Sequence, residues 1–157
     1  MSVTRRGLNK SVFQRYSSME VKAGILENAT YPADMLTDAK TGKQIPDPRA
    51  GMKVATIAAA LNYGVGQNHA RPFMNQTVAK NKKAWSAGVV KLAAAGVPPE
   101  QALTTIGQVM KEDIQDEIQS WPADNSERWA AFKGFNHGLV GPTGHLKDSV
   151  KYEVNKI

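Results

Sequence analysis

The chain has 157 residues, a mass of 17.0 kDa and a formal net charge of +6, with 41% hydrophobic and 22% charged residues. This is the size of one domain, large enough to bury a core without a metal or disulfide, and the composition excludes a collagen-like chain, a coiled-coil rod and a wholly disordered protein. Cysteine is absent, which excludes disulfide scaffolds, thiol nucleophiles, zinc knuckles and iron–sulfur sites.

Residues 1–19 are basic and weakly patterned; Leu8, Val12, Phe13 and Tyr16 allow a short helix or an arm. Arg5 and Arg6 are not followed by an apolar run, so no secretory signal is expected, and no stretch reaches the roughly 18 apolar residues of a membrane span. Val21, Ala23 and Ile25 alternate with Lys22 and Gly24, which predicts a strand with one buried face.

Residues 27–53 form a long polar insert. Asp38 to Lys43 reads as a hairpin tip carrying Lys40 and Lys43, and Pro46, Pro48 and Gly51 punctuate the return. A loop of this length in a small domain is usually functional or mobile, so excising residues 36–44 is expected to leave the monomer folded. Lys53 to Asn62 predicts a short helix stopped by Gly64, followed by a loop over residues 64–68.

Arg71-Pro72 opens a long helix, with Pro72 suited to its first turn, apolar residues at Met74, Val78, Trp85, Val89 and Leu92, and Gly96 as its stop. Pro98-Pro99-Glu100 starts another. There Leu103, Ile106, Met110, Ile114, Ile118 and Trp121 make one stripe of helical period, ended by Pro122. Ser126 can cap a further short helix through Phe132, with Gly134 beyond it. The glycine-rich segment 135–144 reads as surface loop. His145 to Ser149 allows one helical turn, and Val150, Tyr152 and Val154 predict a last strand that can pair with Val21–Ile25. The expected architecture is a single α+β domain over residues 1–157: a small mixed sheet from terminal strands and a hairpin, packed with two long helices and short helices.

The charge is segregated. Residues 54–97 hold Arg71, Lys80, Lys82, Lys83 and Lys91 and no acid, whereas residues 98–125 set Glu100, Glu112, Asp113, Asp116, Glu117 and Asp124 against Lys111 alone. Two opposite blocks on successive helices suit self-recognition, and they equally allow neutralisation inside one chain if the helices pack antiparallel. Arg71 lies at a helix N-terminus, where the dipole disfavours a cation, so it calls for a carboxylate partner in its own or a neighbouring subunit.

Catalytic and cofactor chemistry finds no pattern. His69, His137 and His145 lack metal-ligand spacing, and Asp148 offers His145 a local hydrogen bond. Gly64-Val65-Gly66 and residues 138–144 lack the context of a phosphate loop, and no hydrolase, kinase or zincin signature occurs. The carboxylates at 112–117 read as a solvated or contact face rather than an acid–base pair. Lys80, Lys82 and Lys83 could touch phosphates, but no DNA-reading motif accompanies them. Trp85 reads as core.

In order, Val21-Lys22-Ala23-Gly24-Ile25-Leu26, Val54-Ala55-Thr56-Ile57-Ala58-Ala59, Asn62-Tyr63-Gly64, Arg71-Pro72-Phe73-Met74, Trp85, Lys133-Gly134, Thr143-Gly144-His145-Leu146, Ser149-Val150 and Tyr152-Glu153-Val154 resemble the neck and tail-completion proteins of long-tailed bacteriophages and prophages. The resemblance covers about residues 20–155. This chain departs from the pattern at Asn62, where an acid is usual, and at Val140-Gly141-Pro142, where Leu-Ile-Asp or similar is usual.

The resemblance implies a non-enzymatic virion protein at the head–tail junction, without cofactor or membrane. It implies a tail terminator forming a ring, with six copies expected, that contacts the connector and tail tube while DNA passes through its lumen without sequence recognition. The candidate subunit contacts are Arg71, Lys80, Lys82 and Lys83 against Glu112, Asp113, Asp116 and Glu117, with Lys40 and Lys43 reaching a neighbour. The rival readings are a connector-side or stopper-side neck protein, a non-specific nucleic-acid-binding protein, and a small hydrolase.

Overall fold

Lys10–Ser17 forms a helix (α1) in the computed structural model, which describes residues 10–26 and 28–157. Leu8, Arg5 and Arg6 of the expected basic arm lie outside the described residues. Tyr16 fastens α1 by donating its hydroxyl to the Val97 carbonyl at 2.7 Å. Met19–Ile25 follows as a strand (β1), and the insert holds a hairpin of Met35–Thr37 (β2) and Gln44–Pro46 (β3). The helices Val54–Tyr63 (α2), Phe73–Ala94 (α3), Pro99–Ser120 (α4), Glu127–Lys133 (α5) and His145–Asp148 (α6) come next, and Val150–Lys156 (β4) closes the order.

β1 and β4 pair antiparallel, with Val21 opposite Val154, Ala23 opposite Tyr152 and Ile25 opposite Val150. The alternation puts these apolar residues on one face and leaves Lys22, Lys151 and Glu153 exposed on the other. α4 covers the apolar face. Its point of closest approach is Gly107, where a Cβ would stand 2.5 Å from Tyr152 Cδ2 and 2.9 Å from Val21 Cγ2, so a side chain there would force helix and sheet apart.

The stripe predicted for α4 holds: Leu103, Ile106, Ile114 and Ile118 are buried. Ile114 and Ile118 join Tyr31, Val54, Ala58, Phe73, Leu139, Leu146 and Val150 in one core. Full burial of a residue such as Phe73 is worth about 2–3 kcal/mol.

The α+β class is the observed one, but the strands make two separate antiparallel ladders rather than one mixed sheet. The hairpin attaches to α5, where the Ala39 N–H donates to the Phe132 carbonyl at 2.8 Å, so it does not lie beside β1 or β4. Nor is the insert a free loop. Leu36 is buried, and Asp38 closes the tip by accepting from the N–H groups of Lys40 and Thr41. Excising residues 36–44 would therefore remove a packed side chain.

Three further expectations change. Val78 is exposed, and Thr77 takes the inward place because its hydroxyl is satisfied by the Phe73 carbonyl at 2.7 Å. Pro72 is the residue before α3 rather than within its first turn. The segment 135–144 is not all surface: Leu139 is core, held there by bonds from the Leu139 and Val140 N–H groups to His137 Nδ1.

Candidate interaction surfaces

α3 and α4 pack side by side, and the two charge blocks meet in part within the chain. Lys80 Nζ reaches both carboxylate oxygens of Glu117 at 2.8 and 2.7 Å, and Trp85 Nε1 donates to Asp113 at 2.7 Å. Trp85 is therefore half-buried, with its nitrogen turned to the neighbouring helix, rather than core. Glu112 accepts from Gln108 one turn earlier on α4. Lys82 and Lys83 stand exposed on α3, and Asp116 on α4. Of the candidate contacts, Lys80, Asp113 and Glu117 are thus engaged in holding the two helices together. Lys82, Lys83 and Asp116 face outward, as do Lys40 and Lys43 at the hairpin tip.

Arg71 is buried, and its carboxylate partner is Asp124 of the same chain. The Arg71 Nε donates to Asp124 Oδ1 at 2.9 Å and its Nη2 to the Asp124 carbonyl at 3.1 Å. His69 Nε2 donates to Asp124 Oδ2 at 2.9 Å, and Trp121 Nε1 to the same oxygen at 3.1 Å. Burial pushes the Asp124 carboxyl up, but the bonds from His69, Arg71 and Trp121 together outweigh it and hold the group at about 2. The cluster ties the loop before α3 to the loop after α4. The same loop is fixed from its other side, since the Arg71 N–H donates to the Leu61 carbonyl at 2.7 Å and the Met74 N–H to Asn62 Oδ1 at 3.1 Å. Asn62 is buried and satisfies a donor of the α3 N-terminus that the helix itself cannot.

The three histidines do structural work. His145 does not bond Asp148; its Nε2 donates to the Thr30 carbonyl at 2.8 Å and its ring lies 4.9 Å from that of Tyr31. His137 Nε2 donates to the Gln119 carbonyl at 2.6 Å. Among the described residues no group of three or more His, Asp or Glu side chains could hold a metal, and no helix is long and apolar enough to cross a membrane.

Lys133, the last residue of α5, stands in the sequence only as part of the Lys133-Gly134 pair and not among the candidate contacts. It is 9% exposed, and its Nζ donates to the carbonyls of His137 and Val140, both at 2.8 Å. Burial, reinforced by the Arg71 charge and opposed by Asp124, lowers its amine to about 8. It lines a cleft of about 280 Å³ together with Tyr31, Arg49 and His145. Arg49 lies 4.4 Å over the Tyr31 ring while its Nε and Nη2 hold Asp47. The signal for Lys133 was the Lys-Gly pair at a helix end, which marks the stop without showing that the amine turns inward. What this arrangement offers chemically is charge and shape for binding. Compared with protein-family models, curated proteins and solved structures, the chain matches none.

Proposed function

We propose that the chain is a structural subunit of the head–tail junction of a long-tailed bacteriophage, a tail-terminator or tail-completion protein that assembles as a ring, expected to hold six copies, around the DNA channel. The observation that carries this reading is how the ordered motifs converge. Asn62 from the helix-end motif caps the Arg71-Pro72-Phe73-Met74 motif through the Met74 N–H, and Phe73 shares one core with Leu146 and Val150 from the two C-terminal motifs. The motifs thus belong to one packed unit, as the reading requires of a set that defines one fold.

The outward-facing residues supply what a ring needs. A closed ring of identical subunits joins two different, complementary patches on each copy. Lys82 and Lys83 on α3, Asp116 on α4 and the Lys40–Lys43 tip leave both signs of charge free for neighbours. The nucleic-acid reading is weaker, because Lys80, the first lysine of its basic run, is already paired to Glu117.

The test is electron microscopy of particles assembled with and without this chain, together with mass spectrometry of intact virions. The expected result is full heads and tails that fail to join, and the chain present in complete particles. Infectious particles that lack it would overturn the proposal.

A further inference from the structure

One side chain, Trp129 of α5, borders three adjoining depressions: the Lys133 cleft, a groove of about 360 Å³ between α5 and the hairpin, and the hollow above the Arg71–Asp124 cluster. Arg49 is common to the first two. Together they form one trough. Its walls carry Arg49, Arg71, Arg128 and Lys133; Arg49 is paired with Asp47 and Arg71 with Asp124, which leaves Arg128 and Lys133 as the cations without a carboxylate.

The floor is aromatic. Trp129 is 36% exposed and stacks on Phe132, with ring centroids 5.2 Å apart and planes 7° from parallel. Lys133 Nζ lies 5.9 Å from the Trp129 centroid and 4.6 Å from that of Phe135, which is itself 42% exposed. Neither Lys133 nor Arg128 has a carboxylate within ion-pair distance among the described residues. A lysine only 9% exposed, its amine held by two carbonyls beside a cleft, lacks the carboxylate partner that a buried cation needs. An exposed Trp and an exposed Arg beside open depressions are the composition of binding hot spots.

We infer that this trough is the docking site for an acidic segment of a partner protein, one that carries carboxylates spaced around an apolar side chain. The apolar side chain fills the groove against Trp129 and Phe132. One carboxylate enters the cleft toward Lys133, and another meets Arg128 at the rim. Depressions of this size admit single side chains, not a nucleic-acid duplex. The inference goes beyond the virion reading and does not depend on it, because it uses only the charge, burial and shape of this surface.

The experiment is a titration of the full-length, isotope-labelled chain followed by the Trp129 indole N–H resonance. The probes are an acetylated, amidated Glu-Leu-Glu-Leu peptide, its Gln-Leu-Gln-Leu counterpart and a short DNA duplex. The glutamyl peptide is expected to shift the Trp129 signal saturably at about millimolar concentration. The glutaminyl peptide should bind about tenfold more weakly, and Arg128→Glu, at an exposed position, should cost the glutamyl peptide about tenfold. Lys133→Met should do the same if the variant keeps the wild-type spectrum; Arg128→Glu decides the matter if it does not. Equal binding of the two peptides, no movement of the Trp129 signal by either, or a stronger response to the duplex would each overturn the inference.

Discussion

Arg71 and Asp124 are 53 residues apart in sequence and 2.9 Å apart in space, and the carboxylate is shared with His69 and Trp121. The arginine side chain is 7% exposed and the aspartate 26%. Asp124→Asn leaves a buried guanidinium without its charge partner. Breaking a buried pair costs about 3–5 kcal/mol, and the partial exposure of Asp124 brings the expected loss to about 2–3 kcal/mol. Urea unfolding of the variant beside the wild type measures it.

The same carboxyl sets an acid limit. Its folded value of about 2 lies below the roughly 3.9 of an unfolded aspartate. The stability it supplies is complete above pH 4 and is lost as pH falls from about 4 towards 2. Asp47, lowered by its Arg49 partner, adds in the same direction. Melting temperatures between pH 2 and 6 should therefore fall more steeply for the wild type than for Asp124→Asn. Parallel curves would show that Asp124 does not carry this dependence.

Lys133 behaves in the opposite sense. Its amine stands at about 8, below the 10.5 of an exposed lysine. Between these values the unfolded chain binds more protons than the folded one, so this group alone makes stability rise as pH climbs from about 8 to 9.5. Calorimetry at pH 7.5 and 9.5 should show a more positive change in stability for the wild type than for Lys133→Met, since Tyr16, Tyr31 and Lys22, all raised, pull both proteins the other way.

Gly138 lies against the Asp124 cluster. A Cβ there would overlap the Asp124 carboxylate and stand 2.7 Å from Trp121 Cδ1 and 2.8 Å from the Pro122 carbonyl. Gly138→Ala should cost about 1–3 kcal/mol. Gly141→Ala, whose Cβ would meet only Arg49 Nη1 at 3.4 Å, is the control and should stay within about 0.5 kcal/mol. Similar losses from both would mean that crowding at Asp124 is not the cause.

Surface charge separates folding from assembly. Lys82→Glu with Lys83→Glu, and Lys40→Ser with Lys43→Ser, alter exposed side chains and should move Tm by no more than about 2 °C. On the proposed ring reading, in which these residues meet neighbouring subunits, both double variants lower head–tail joining while the circular dichroism spectrum is unchanged.

Periodicity made α4 and the terminal strands legible, whereas α3 was legible from the Pro72 and Gly96 that bracket it and not from its apolar spacing. The stripe from Leu103 to Ile118 and the alternation around Val21 and Val150 each depend on local pattern, and each appears where the spacing puts it. The need for a carboxylate at Arg71 was legible from the helix dipole, but its identity was not, because Asp124 reaches it only through the fold of the intervening α3 and α4. Leu139 was hidden by its glycine-rich surroundings; it is buried because His137 folds back on the backbone behind it. Lys133 was hidden for a related reason. The carbonyls that draw its amine inward belong to residues 137 and 140, in a segment with no periodic signal.

The clasp between β1 and β4 carries a consequence for biosynthesis. Met19 and Lys156 are partners, so the part of the apolar surface of α4 that β4 covers stays open until the second strand has been made. A nascent chain interrupted before Val150 presents a sticky helix and a lone unpaired strand, the two features most apt to recruit chaperones or seed aggregates. Pairing of β4 with β1 is thus the step that closes this face of the fold.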